Sequence, residues 1–259
     1  MTRTPATTAI VGVAGVAGAL VAWQAVSTGG VLDRTSFPPP TEVADALGRI
    51  LGEEWFWTAL GETAKSTLLG LLISVAIAFP LGAALGLSET AFRSSRLVIE
   101  FLKPIPVVAL LPLALLMYGT TLQMKLVLIV FGTLWPLLMQ VIYGVQNVDA
   151  VAAETARAYR LARPRRLVAV VLPSAAPFIA TGLRVAGVTA LLLSIVTELV
   201  GGAPGLGLQI TRSQSAADFA DLYALVVVTG VLGIAVNSAL RRMERRTLRW
   251  LPEHREVAA

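Results

Sequence analysis

The chain of 259 residues has no cysteine and a single histidine. The first absence excludes disulfides and thiolate chemistry, and it leaves the redox compartment unreadable. The histidine, His254, sits in a polar C-terminal tail, so a histidine-based metal site or catalytic triad lacks its members. No Gly-x-x-x-x-Gly-Lys-Ser/Thr phosphate loop occurs, so the chain does not bind ATP in that manner. Charge is scarce: Asp, Glu, Lys and Arg make up 14% of residues, against about 25% in soluble domains. No acidic residue falls at the centre of a long apolar segment. That counts against an ion-driven secondary transporter, which needs paired carboxylates or broken repeats at mid-membrane. A membrane enzyme is disfavoured for the same want of clustered chemistry. No internal repeat is visible, and a non-transporting membrane adaptor stays open.

What is present is apolar. Hydrophobic residues make up 56% of the chain, and mean hydropathy is +0.74. A soluble protein of this length cannot hide so much apolar surface, so lipid is the expected solvent. The net charge of +5 does not indicate nucleic acid. The basic residues stand in short clusters between apolar segments, as on the cytoplasmic face of a membrane protein.

The expected fold is an all-α integral membrane protein of about six transmembrane helices. The first span runs from Thr7 to Val26. A signal peptide is its rival, with Arg3 as the charged end and Ala25-Val26-Ser27 as a poor cleavage site, but the apolar stretch has spanning length. A polar stretch, Thr28 to Lys65, follows. Thr41 is its expected N-cap after Pro38-Pro39-Pro40, opening an amphipathic surface helix, and Trp55 and Trp57 suit an interfacial belt. The later spans are Ser66–Leu87 with Pro80, Leu97–Tyr118, Met124–Val145 with Pro136, Ala175–Leu199 with Pro177, and Asp221–Leu240. The third span holds Pro104, Pro106 and Pro112 and cannot be one straight helix. In domain terms this reads as an N-terminal transmembrane helix (1–30), an extracytoplasmic loop (31–65), a core of five spans (66–245) with a coupling loop at 146–173, and a cytoplasmic tail (246–259).

Loop charge sets the orientation. With the N-terminus inside, the inner segments carry Arg93 and Arg96, then Arg157, Arg160, Arg163, Arg165 and Arg166, then Arg241, Arg242, Arg245, Arg246, Arg249 and Arg255. The outer ones carry mainly Arg34, Arg49, Lys65 and Arg212. The positive-inside rule then places both termini in the cytoplasm.

The inner segment between spans four and five, Gly144 to Pro173, is far longer than a hairpin needs. Asp149 is the expected cap of a helix beginning at Ala150. Pro164 should break the pattern, and a second short helix is expected from Arg165 to Val171. Such an element either docks a soluble partner or lies on anionic lipid, and physics alone leaves the two readings open.

Here the residues resemble a known family. Glu154-Thr155-Ala156, followed by Val171-Leu172-Pro173, resembles the EAA loop of bacterial ABC-importer permeases, which reads Glu-Ala-Ala, three residues, Gly, and a hydrophobic-Leu-Pro further on. Thr155 replaces one Ala, and Arg160 stands in place of the Gly. Phe37 to Val43, Phe79-Pro80-Leu81-Gly82, Pro104-Ile105-Pro106, Leu111-Pro112, Thr181 to Arg184, Glu198 and Gly205-Leu206-Gly207 are similar to the nitrate/sulfonate/taurine branch.

The resemblance implies a permease subunit in the bacterial inner membrane that forms the pathway for a small solute. It implies separate ABC ATPase subunits that bind ATP and Mg, an extracytoplasmic substrate-binding protein, and a second permease, either another copy or a paralogue. No cofactor is expected in the chain itself. The coupling set would be Glu154, Thr155, Ala156, Tyr159, Arg160, Leu172 and Pro173, with Glu154 and Ala156 at the ATPase groove. Pro106, Arg184, Thr197 and Glu198 are the substrate-path candidates, although Arg184 also fits snorkelling or pairing near the interface. Arg160 carries a Cβ that disfavours the left-handed turn a Gly would allow, so the turn is expected to be displaced or the helix to run on to Pro164.

Overall fold

A computed structural model describes residues 5–29, 33 and 35–248; for residues 5–10, 13, 163 and 164 it describes the backbone alone. His254, Arg3, Arg34, Arg249, Arg255 and most of the 246–259 tail lie outside the described residues, as does the Arg163 side chain.

Among the described residues the regular structure is helical. The elements are α1 (Pro5–Thr28), α2 (Pro40–Ile50), α3 (Glu54–Leu87), α4 (Glu89–Leu102), a 3₁₀ turn (Val107–Leu110), α5 (Leu111–Tyr118), α6 (Leu122–Gln146), α7 (Ala150–Ala158), α8 (Arg163–Arg166), a π turn (Leu167–Val171), α9 (Leu172–Gly201), α10 (Leu206–Ser215) and α11 (Phe219–Thr247). Four stretches are long and apolar enough to cross a bilayer: Glu54–Leu87, Leu122–Gln146, Leu167–Ser215 and Phe219–Thr247. A fifth is added, by length and composition, if α4 and Val107–Tyr118 act as one span, and these are bent by 75°. The bend falls where Pro104 and Pro106 remove donors and disfavour helix in the residues before them. Helix α1 stands where the first span is expected.

The centre of the bundle is α3, α6 and α9. Lipid gives apolar side chains no reason to prefer protein, so membrane helices associate through close packing and interhelical hydrogen bonds. Helix α3 has Gly82 against Val141 and Gly86 against Val145, where a Cβ would come within 2.7 Å of its neighbour. Gly144 on α6 and Gly182 on α9 allow the same approach between those two helices. In the middle, Ser74 and Thr133 share a hydrogen bond of 2.6 Å between α3 and α6.

Around this centre the packing is lighter. Helix α1 exposes Val11, Val16, Leu20 and Val21, as lipid solvation permits. Near its C-terminal end Trp23 Nε1 donates to Pro38 O at 3.1 Å and Ser27 Oγ to Phe37 O at 2.6 Å. Helix α2 buries Val43, Ala46 and Ile50, one helical face, in a cluster with Phe56, Leu206, Ile210 and Leu225.

Several expectations are corrected. Helix α2 starts at Pro40 with Pro39 as N-cap and no side-chain cap, so Thr41 is not the cap; proline at the first helical position lacks only a donor that had no partner. Helix α3 starts at Glu54 rather than Ser66. Its 34 residues span about 51 Å at 1.5 Å per residue, well beyond a hydrocarbon core of about 30 Å. Pro164 does not break a helix but lies in the first turn of one. The segment from Arg165 to Val171 is not a separate helix either, because it runs into α9 through the π turn. There the Leu172 amide reaches back to Leu167 O. Pro173 explains the widened turn: its ring collides with the carbonyl four residues back, at Ala169, and a π turn relieves that.

Candidate functional site

Two places gather the residues singled out from the sequence, and they lie at opposite ends of α9. At its start is the loop carrying α7. Asp149 Oδ1 accepts from the Ala152 amide at 2.9 Å, which satisfies an orphan donor of the first turn, as expected. The helix stops at Ala158, neither displaced nor extended. Arg160 takes φ +51, Leu161 N donates to Ala156 O at 3.1 Å, and Arg160 N donates to Arg157 O at 2.9 Å. That is a Schellman cap with arginine in the position usually held by glycine. The tight turn therefore forms without a glycine, at a cost of about 1–2 kcal/mol in local strain.

Helix α7 rests on the π turn. Ala156 is 3% exposed, at the base of a cavity between α7 and the π turn. The adjoining strip carries Val151, Thr155 and Tyr159, spaced four residues apart, with Glu154 further round; Val151 is 72% and Tyr159 76% exposed, and the three share this open cavity with Ala156, Leu161, Arg165 and Val170. Such spacing puts the first three in one line along the helix. Glu154 has no ion pair among the described residues. Leu172 is exposed and Pro173 half-buried at the base of α9.

At the far end of α9 lies a buried polar knot. Glu198, wholly buried, accepts from Lys125 Nζ at 2.6 Å, Ser194 Oγ at 3.0 Å, Thr63 Oγ1 at 2.9 Å and the Gly207 amide at 2.9 Å. Lys125 Nζ also donates to Pro204 O at 3.0 Å and Glu62 O at 3.4 Å, which uses its three protons. The Leu206 amide donates to Thr63 Oγ1 at 2.9 Å. Four elements, α3, α6, α9 and the turn into α10, are thus tied at one carboxylate. The glycines of Gly205-Leu206-Gly207 make room for it: Gly205 has φ +152, and a Cβ there would collide with the Glu198 carboxylate.

Lys125 escaped the sequence reading. A lysine at the start of an apolar span demands a partner, and Glu198 is an acidic residue at the matching end of another span; that pairing was the available signal. Thr197 is 1% exposed and bonds to Ser194 O, so neither it nor Glu198 opens to solvent in this structure. Arg184 lies 3.6 Å from Glu244 of α11, and Pro106 is exposed at the bend after α4.

A helical bundle with a capped, outward-facing loop helix is an arrangement with known relatives. Residues 67–249 match the family described as binding-protein-dependent transport system inner membrane component. The chain belongs to this family. It is 32% identical over 245 residues to the taurine transport system permease protein TauC of Escherichia coli, covering 92% of this chain and 87% of that protein. The putative aliphatic sulfonates transport permease protein SsuC of Bacillus subtilis is 26% identical, covering 88% and 83%. The nitrate import permease protein NrtB of Leptolyngbya laminosa is 24% identical, covering 71% and 65%. A chain of the MetNI methionine ABC transporter in an inward-facing conformation shares the fold at TM-score 0.64 and 21% identity, covering 75% of this chain and 97% of that one. The protein is accordingly a permease subunit of an ABC importer, a transport component and not itself a catalytic one.

Proposed function

We propose that this permease carries a small oxyanion across the inner membrane, driven by separate ATPase subunits that bind ATP and Mg and dock on the outward face of α7. One observation carries the docking reading: Val151, Thr155 and Tyr159 line a single exposed face of a helix whose ends are both capped within the chain. With the helix capped at both ends within the chain, its exposed stripe is free for a protein groove. Glu154, beside the stripe, would take an ion pair or hydrogen bond from the partner. Thr155 gives close approach, and Arg160, Leu172 and Pro173 hold the loop's shape.

The reading extends to topology and mechanism. The arginine-rich α7 end faces the cytoplasm, and six spans place both termini there. Two permease subunits enclose the pathway, and a substrate-binding protein delivers cargo from the other side. Helix α7 leans on the turn that starts α9, and α9 ends at the Glu198 knot. A shift of α7 on ATP binding would move α9 as a rod and so bias the bundle between two conformations. Glu198 and Thr197 then serve as the fastening of that rod, while Pro106 and Arg184 remain the candidate wall residues of the pathway.

Taurine, aliphatic sulfonates and nitrate are the solutes in the names of related permeases. All are small oxyanions, and that class is assigned here. Uptake of labelled taurine and nitrate into cells expressing the chain with its ATPase and binding protein tests the class; uptake of neither would remove it. Docking is tested by Glu154→Lys, which should reduce co-purification of the ATPase while leaving membrane insertion intact. Unchanged co-purification would take Glu154 off the docking face.

A further inference from the structure

Behind α7, between it and the corner where α3 turns into α4, is an open cavity of about 740 Å³. Its wall carries four arginines, Arg93, Arg96, Arg157 and Arg166, and one carboxylate, Glu89. Arg93 is paired with Glu89 at 2.5 Å, and Arg96 with Glu100 at 2.6 Å. Among the described residues Arg157 donates only to the Ala153 carbonyl of its own helix at 3.3 Å, and Arg166 has no carboxylate partner. The cavity therefore holds a surplus of guanidinium donors, whose planar forks suit phosphate oxygens.

The neighbouring surface says which phosphate. Helix α4 turns Glu89, Phe92, Arg93 and Arg96 to the cavity, while Leu97, Val98 and Phe101 are 78%, 58% and 73% exposed. Within one or two helical turns the same helix thus offers arginines to a charged group and an uncovered apolar strip to hydrocarbon. A soluble anion has no use for the strip, whereas an anionic phospholipid uses both. We propose that this cavity is a binding site for the headgroup of an anionic phospholipid, its acyl chains lying along α4. The headgroup bridges Arg157 on α7 and Arg166 on α8 to Arg93 and Arg96 on α4 across this cavity. The inference needs this end of the bundle to lie at headgroup level; it does not depend on which partner docks on the other face of α7.

The test is native mass spectrometry of the full chain in detergent, titrated with phosphatidylglycerol or phosphatidylcholine. Phosphatidylglycerol should bind on the order of tenfold tighter, and Arg93→Gln with Arg166→Gln should remove that preference. Arg93→Lys with Arg166→Lys should keep part of it. The double variant Arg241→Gln with Arg242→Gln, which removes equal charge from α11, should leave it intact. Thermal unfolding in detergent establishes that the variants are folded. Equal loss from both glutamine pairs would mean general surface charge and overturn the site. Displacement of the lipid by millimolar inorganic phosphate would overturn it in favour of a soluble anion. A cavity that takes neither lipid nor phosphate, and is instead protected only when the ATPase is bound, would overturn it in favour of an acidic protein surface.

Discussion

The two ends of α9 solve opposite problems. At the α10 end, one lysine and one carboxylate are wholly buried, and every valence is met inside the chain. At the α7 end, arginines outnumber their partners, a helix cap is held in a strained conformation by Arg160, and apolar side chains stand exposed. The first end is closed within the chain; the second leaves donors and apolar side chains uncovered.

The contrast can be broken most forcefully at the buried pair. Lys125→Ala or Glu198→Ala leaves one uncompensated buried charge and should cost about 3–5 kcal/mol, read as a large fall in thermal unfolding temperature in detergent. The double variant Lys125→Met with Glu198→Leu should recover most of that loss, since an ion pair replaced by apolar groups of similar size is often neutral. If single and double variants lose stability equally, the pair is not the fastening described here. Gly205→Ala tests the same knot from the backbone side. With φ +152 and the carboxylate in the way, it should cost about 2 kcal/mol or more, measured by the same unfolding.

At the other end the expected effects are smaller and local. Asp149→Ala removes the cap of α7 and should cost about 1 kcal/mol, visible as faster amide exchange in 150–158, with the bundle's unfolding temperature unmoved. Arg160→Gly relieves the left-handed strain and should slow exchange in the same segment by a factor of a few, about 1 kcal/mol at most. A fall in global stability in either variant would show that the two ends are not separable.

What the sequence made legible follows the same division. The Asp149 cap and the bend near Pro104 and Pro106 are readable, because capping and proline geometry are local. The Lys125–Glu198 pair joins residues 73 apart and forms only when α6 meets α9, so no local pattern announces it. The long start of α3 is hidden by the polar residues Glu54, Glu62 and Lys65, which read as loop but sit on a helix beyond the apolar core. Arg160 misleads because the intrinsic preference against a left-handed arginine weighs less than the capping hydrogen bonds that hold it. Ala156 belongs to the partner surface by resemblance alone, and which face of α7 turns inward depends on where the π turn lies, a tertiary fact.

Since the chain has no cysteine, a single introduced thiol reports one position without background. The measurement that most directly tests the docking account is crosslinking from Thr155→Cys and from Ala156→Cys to the co-expressed ATPase. The account predicts a strong crosslink from position 155, on the exposed face, and little or none from the buried neighbour at 156. Equal crosslinking from both, or a crosslink from 156 alone, would contradict it and place the ATPase elsewhere on the chain.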